Sequence, residues 1–297
     1  MALNNNTQGW LQRVFSKINT YGELVMFSHT LFSLPFALIS LFIAAKGFPD
    51  LHTFIWVMVC LFAGRNGANA LNRYVDQKYD ALNPRTQHRH MPKGIVKSKE
   101  VLIITALCYI LFVFGAYQIN TLCFYLSPVA LALFTLYSYT KRFTWLCHIV
   151  LGITCAGAPV GAWIAVTAGI DWIPFLLGAI VTLWIAGFDI IYGTQDIDFD
   201  RATGLFSIPA RFGLKGALTI ARTFHLIMWG LLIAVGVLAG LGVIYYVGVG
   251  ISALLLLIEH GLIDPGHRIK MNFAAYHINQ LISTQLLITT TLDIFLK

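Results

Sequence analysis

The sequence predicts an all-α membrane protein, a bundle of nine transmembrane helices, and three observations carry that expectation. Mean hydropathy is +0.74, apolar runs of about twenty residues recur along the chain, and the basic residues gather between alternate runs. Of the 297 residues, 58% are hydrophobic and 11% charged, which leaves too little polar surface to cover a soluble core.

The apolar runs lie near residues 23–45, 51–71, 101–117, 121–140, 147–168, 172–192, 217–239, 241–259 and 279–296. The last boundaries are the least defined, because Glu259 to Asn272 is polar and glycines cluster between 240 and 250, so eight spans also fit. The opening Met1 to Thr20 is polar and weakly basic, without the short apolar core and small-residue cleavage site of a secretory signal, so the first run is expected to stay as a membrane helix. Residues 1–297 read as one domain. Five cysteines, Cys60, Cys108, Cys123, Cys147 and Cys155, sit in apolar runs without metal-ligand spacing and read as small core hydrophobes.

The formal net charge of +7 carries topology rather than affinity for nucleic acid. Arg13 and Lys17 precede the first run; Lys78, Arg85, Arg89, Lys93, Lys97 and Lys99 follow the second; Lys141 and Arg142 follow the fourth. Arg201, Arg211 and Lys215 follow the sixth, Arg268 and Lys270 the eighth, and only Lys46 and Lys297 fall on the other side. This bias places the N-terminus and these connections in the cytoplasm, with the protein in the inner membrane.

Six of the thirteen acids fall in two short windows: Asp76, Asp80, Asp189, Asp196, Asp198 and Asp200. Asn72, Asp76 and Asp80 are spaced by four, on one face of a helix; Asp189, Tyr192, Asp196 and Asp200 follow steps of three, four and four, and Asp198 points elsewhere. Carboxylates beside apolar helices are costly unless a cation, a donor or a metal meets them. Hard cations such as Mg²⁺ bridge carboxylates to phosphates, so two facing stripes suit a diphosphate held between metal ions. The competing account has these acids pair with nearby Lys and Arg at the membrane interface.

Each ladder closes an even-numbered run and enters a basic connection, with Asp76 and Asp196 120 residues apart, which suggests two pseudo-equivalent halves. After the first ladder, Arg85 and Arg89 can clamp phosphate oxygens bidentately. Tyr139, Lys141 and Arg142 place a phenol and two cations at the end of the fourth run.

The stretch from Asn72 to Asp80, followed by Arg85-Thr86 and Arg89, resembles the first signature of the UbiA superfamily of intramembrane aromatic prenyltransferases. Asp189 to Asp200 resembles the second, and Tyr137 to Thr144 a segment carried between them. His29-Thr30-Leu31-Phe32, Leu34-Pro35-Phe36-Ala37, Asn72-Arg73 and Ser207 to Gly213 resemble a branch labelled 4-hydroxybenzoate polyprenyltransferase-like and associated with futalosine-route menaquinone synthesis. Many members carry Asn-Asp where this chain has Asn72-Arg73, which removes one acid from the first signature.

The resemblance implies nine helices around a central cavity under cytoplasmic cap loops. It implies that Asn72, Asp76, Asp80, Asp196 and Asp200 hold Mg²⁺ and the prenyl diphosphate, that Arg85, Arg89, Lys141 and Arg142 contact the diphosphate with Tyr139 nearby, and that Asp189 and Tyr192 lie toward the acceptor or the ionising carbon. The implied reaction is Mg²⁺-dependent transfer from polyprenyl diphosphate to an aromatic hydroxy acid, 4-hydroxybenzoate or a hydroxynaphthoate, for ubiquinone or menaquinone. Membrane lipid is the surrounding partner. His29 is a candidate acceptor contact, and Gly157, Gly161 and Phe175 either line a channel for the tail or pack helices. The alternative function is a secondary transporter or ion carrier, which would place its acids near mid-span.

Overall fold

The computed structural model describes residues 20–22, 24, 30–263 and 273–297. His29, Arg13, Lys17, Arg268 and Lys270 lie outside the described residues. The elements are helical throughout the described chain: α1 (Thr30–Ala45), α2 (Leu51–Leu82), α3 (Ser98–Ile119), α4 (Thr121–Tyr139), α5 (Cys147–Thr167), α6 (Trp172–Gly193), α7 (Ile197–Thr203), α8 (Ile208–Leu238), α9 (Val243–Gly261) and α10 (Asn279–Phe295). Short 3₁₀ turns at Thr140–Arg142 and Thr194–Asp196 extend α4 and join α6 to α7. Seven helical stretches among the described residues are long and apolar enough to cross a membrane; α1 and α10, with 16 and 17 residues, are shorter.

Helix ends differ from the hydropathy runs for one reason: hydropathy stops where polar side chains begin, but backbone hydrogen bonding does not. Thus α2 continues through the first ladder to Leu82, whereas α8, which starts at Ile208 ahead of its apolar run, is broken by a kink at Gly213, where φ is 67°. At 1.5 Å per residue the 32 residues of α2 span about 48 Å, more than the roughly 30 Å hydrocarbon layer. Its polar end therefore reaches past the apolar slab.

Side chains such as Leu107, Ile110, Trp172, Leu254 and Leu257 point outward, while a core of Phe36, Trp184, Ile180, Met228, Leu232 and Leu286 holds the interior. Lipid gives no hydrophobic reward for helix association, so close backbone approach matters. A Cβ at Gly152 of α5 would collide with the Thr182 carbonyl of α6, and glycine lets these two helices touch. The bundle closes on itself: α2 packs on α3, α5 on α6, α6 on α8, α9 on α10, and α10 on α1.

Candidate active site

Both ladders open into one cavity of about 230 Å³. Asn72, Asp76 and Asp80 reach it from α2, Asp189 and Tyr192 from α6, Asp196 from the 3₁₀ turn and Asp200 from α7. The tighter turn at Thr194–Asp196 keeps the second ladder on the cavity side, and Asp198 is exposed. Gly204, at φ 71°, ends α7 in a left-handed conformation that turns the chain toward Ser207.

Four of the five cavity-lining ladder carboxylates meet an Arg or Lys, and the fifth, Asp189, meets His148. Arg142 Nη2 lies 2.9 Å from Asp76 Oδ1, and Arg89 Nη1 lies 2.7 and 2.9 Å from the two oxygens of Asp80. Arg85 clamps Asp196 bidentately, with Nε 2.9 Å from Oδ1, and Asn83 Nδ2 donates to the same oxygen at 3.0 Å. Lys141 Nζ is 3.3 Å from Asp200 Oδ2, which also accepts from Ser207 Oγ at 2.8 Å. Arg73 stands 3.9 Å from Asp80, so the residue that replaces an acid in the first signature joins the cationic lining.

The pairing expected of interfacial helix ends is therefore present, but it is gathered inside one cavity rather than spread over a surface. Burial lowers the Arg85 pKa, and the hydrogen bond and charge of Asp196 with the nearby phenols outweigh that and hold it above the ordinary arginine value. The guanidinium is a permanent cation. Five carboxylates, Asp76, Asp80, Asp189, Asp196 and Asp200, share the lining with five Arg and Lys side chains, Arg65, Arg73, Arg85, Arg89 and Lys141, and with His148. Such a cavity can take a metal at the acids and a polyanion at the bases without a change of fold.

A second, apolar cavity of about 280 Å³ adjoins the first, and Arg65, Ala68 and Thr154 line both. Gly157 and Gly161 line it with open space before them, so they face the cavity rather than pack a neighbouring helix. Phe175 is exposed and does not line it.

The UbiA prenyltransferase family model matches residues 33–281. This chain belongs to that family. It is 31% identical over 229 residues to the 4-hydroxybenzoate octaprenyltransferase of Providencia stuartii, covering 77% of this chain and 79% of that protein. Identity to the 4-hydroxybenzoate octaprenyltransferase of Vibrio cholerae serotype O1 is 32% over 227 residues, covering 75% and 78%. The apo structure of a UbiA homolog from Aeropyrum pernix K1 matches with a TM-score of 0.82 and 31% identity, over 90% of this chain and 98% of that one. A UbiA homolog from Archaeoglobus fulgidus bound to DMAPP and Mg²⁺ shares the fold, at a TM-score of 0.70 and 17% identity, over 93% and 99%. The chain is an integral membrane enzyme of the aromatic prenyltransferase class.

In this UbiA family member, the oxygen-only ladders suit a hard divalent cation, since amide and carboxylate oxygens are the donors Mg²⁺ prefers. Ten of the twelve sequence-expected site residues line the cavity: Asn72, Asp76, Asp80, Arg85, Arg89, Lys141, Asp189, Tyr192, Asp196 and Asp200. Arg142 reaches the site only through Asp76. Tyr139 does not line the cavity; it is 42% exposed, with the Arg142 guanidinium 5.4 Å from its ring centre. The helical period explains this correction. Two residues advance a helix by about 200°, so Tyr137 faces the cavity and Tyr139 faces away.

Sequence reasoning missed His148, Tyr276, Asn83 and Arg65. His148 Nδ1 lies 2.7 Å from Asp189 Oδ2, and Tyr276 packs edge-on against Tyr192 with centroids 5.0 Å apart. Asn83 was visible as the residue that ends α2 beside Arg85, but the others have no local pattern that marks them.

Proposed function

We propose that this enzyme transfers a polyprenyl group from polyprenyl diphosphate to 4-hydroxybenzoate or a related hydroxynaphthoate, for ubiquinone or menaquinone, with Mg²⁺ as cofactor. The carrying observation is the adjacency of two unlike spaces: a charged cavity lined by both ladders, sharing Arg65, Ala68 and Thr154 as a common wall with an apolar one. A diphosphate headgroup fits the first, and a hydrocarbon tail gains roughly 0.8 kcal/mol per CH₂ in the second. The named relatives act on 4-hydroxybenzoate, which supports the same acceptor class here.

Asn72, Asp76, Asp80, Asp196 and Asp200 would hold Mg²⁺, which supplies Lewis-acid neutralisation of the leaving group's charge. Arg85, Arg89 and Lys141 bind the diphosphate oxygens, and Arg142 acts beside them through Asp76. Loss of diphosphate leaves an allylic cation, and the electron-rich ring carbon ortho to a hydroxyl attacks it and then releases its proton. Asp189 and Tyr192, on the cavity wall, face the reacting carbons, and Asp189 is the acceptor for that proton. The helix-lined space excludes water that would otherwise trap the cation.

The nine-helix reading adds α1 and α10 to the seven long spans, and the basic connections support a cavity mouth that faces the cytoplasm from the inner membrane, beneath cap loops that include Asn83 to Lys97. Both ladders then belong to one domain of two pseudo-equivalent halves. Purified protein incubated with Mg²⁺, a polyprenyl diphosphate and each acid in turn, with the product identified by mass spectrometry, tests this reading. Absence of a prenylated ring with every acid overturns it.

A further inference from the structure

A polar cluster lies apart from both cavities, where α6, α8, α9 and α10 meet. His225 of α8 and Glu259 and His260 of α9 each bring one donor atom within 4.8 Å of the others. His225 Nδ1 is 3.0 Å from His260 Nε2 and 3.5 Å from Glu259 Oε2. His225 and Glu259 are 2% and 0% exposed, and none of the three lines the ladder cavity.

The outward atoms of His225 and Glu259 are held by other helices, while His260 Nδ1 is buried without a hydrogen-bond partner. His225 Nε2 lies 3.3 Å from the Trp184 carbonyl of α6, which assigns the ring proton to Nε2 and leaves the Nδ1 lone pair for the cluster. A Cβ at Gly187 would strike that ring, so glycine lets the imidazole reach α6. Glu259 Oε1 accepts from Asn279 Nδ2 at 2.8 Å, and Asn279 Oδ1 accepts from Trp184 Nε1 at 2.6 Å. One oxygen remains unexplained: Glu259 Oε2 is buried without a hydrogen-bond partner. A carboxylate oxygen left so is costly unless a cation meets it.

We propose that His225, Glu259 and His260 bind a divalent transition metal, zinc by the chemistry of the donors, at a site separate from the ladders. Two imidazole nitrogens and one carboxylate oxygen are a set that zinc takes with bonds of about 2.0–2.2 Å. A tetrahedral ion with such bonds sets its donors about 3.3 Å apart, between the 3.0 and 3.5 Å separations found here. Magnesium favours all-oxygen sets, so the two sites differ in metal. Hydrogen-bonded partners on α6 and α10 orient His225 and Glu259, and the metal ties α8 to α9. The site also backs the active cavity, because Trp184 packs on the cavity-lining Phe188 with centroids 5.6 Å apart.

The test uses full-length protein in detergent, stripped with chelator, dialysed against zinc chloride, and read by metal analysis and zinc X-ray absorption. The expected result is one zinc per chain with two imidazoles among its ligands, retained when Asp76→Asn and Asp196→Asn are combined. Glu259→Gln keeps an oxygen for Asn279 and is expected to weaken zinc binding at least tenfold, with helicity by circular dichroism unchanged. His260→Gln, at the half-buried edge, gives the same loss should Glu259→Gln fail to fold. Folded wild type that retains no zinc overturns the site, as does zinc that survives both substitutions or disappears with the ladder pair.

Discussion

His148 Nδ1 sits 2.7 Å from Asp189 Oδ2, joining α5 to α6 across 41 residues on the cavity wall. The imidazole is buried, its Nε2 has no partner, and the carboxylate it holds is the one proposed above to accept the ring proton. His148→Ala is expected to lower kcat about 100-fold, the scale of a misplaced reacting group, with the donor KM within about threefold. His148→Gln, which can still donate to Asp189, recovers part of that loss. Steady-state kinetics with each substrate varied in turn decides; an unchanged kcat removes His148 from the positioning of Asp189.

Asp76 and Asp196 stand on opposite ladders, each paired with an arginine from another segment. Asp76→Asn and Asp196→Asn each remove one charged oxygen donor at nearly constant volume and are expected to abolish Mg²⁺-dependent transfer, a loss of at least about 1,000-fold. The arginine left behind is half-buried and keeps other partners, Arg142 the Ser138 and Val75 carbonyls and Arg85 the Tyr192 hydroxyl, so the loss of its carboxylate destabilises by about 1–3 kcal/mol. Turnover is therefore compared in protein shown by melting and size exclusion to be folded. Near-normal rates in both variants sink the ladder assignment.

Lys141 contacts Asp200, which Ser207 also holds, so its charge is positioned rather than free to swing. Lys141→Ala is expected to raise the KM for the diphosphate donor about tenfold and to leave the acceptor KM within about twofold, the loss of one charge-assisted bond. A shift of the two constants together marks Lys141 as a general structural contact.

Chelation tests the cofactor directly. Protein treated with EDTA and returned to metal-free buffer is expected to lose transfer and to regain it with added Mg²⁺, because the ladder donors are hard oxygens. Activity that persists in EDTA overturns the metal role.

Gly157 and Gly161 face open apolar space. Gly157→Leu and Gly161→Leu would fill it, and are expected to raise the KM for a long polyprenyl diphosphate about tenfold, roughly 1.4 kcal/mol of lost tail burial, while geranyl diphosphate is scarcely affected. Equal effects on both donors show that the tail runs elsewhere.

The helical class and the position of nearly every described helix follow from hydropathy, because lipid requires each spanning segment to satisfy its own backbone. The two ladders were legible for a related reason: steps of three and four fix Asn72, Asp76 and Asp80 on one face of α2 whatever packs against it. Tyr139 shows the limit of that logic. Its proximity to Lys141 in sequence suggested a site residue, but the helical phase points Tyr137 inward instead.

The sequence by itself determined an oily helical chain, the alternate connections in which its basic charges gather, and two carboxylate stripes that suit metal and diphosphate. Local spacing and transfer free energy are enough for those. Only the tertiary structure decided which cation meets each acid, that His148 holds Asp189, that Arg65 stands between the polar and apolar cavities, and that His225 meets Glu259 and His260. These partners lie on different segments of the chain, with Arg85 and Asp196 111 residues apart. Their meeting depends on how helices cross and where glycine lets them touch, and no periodicity within one helix encodes that.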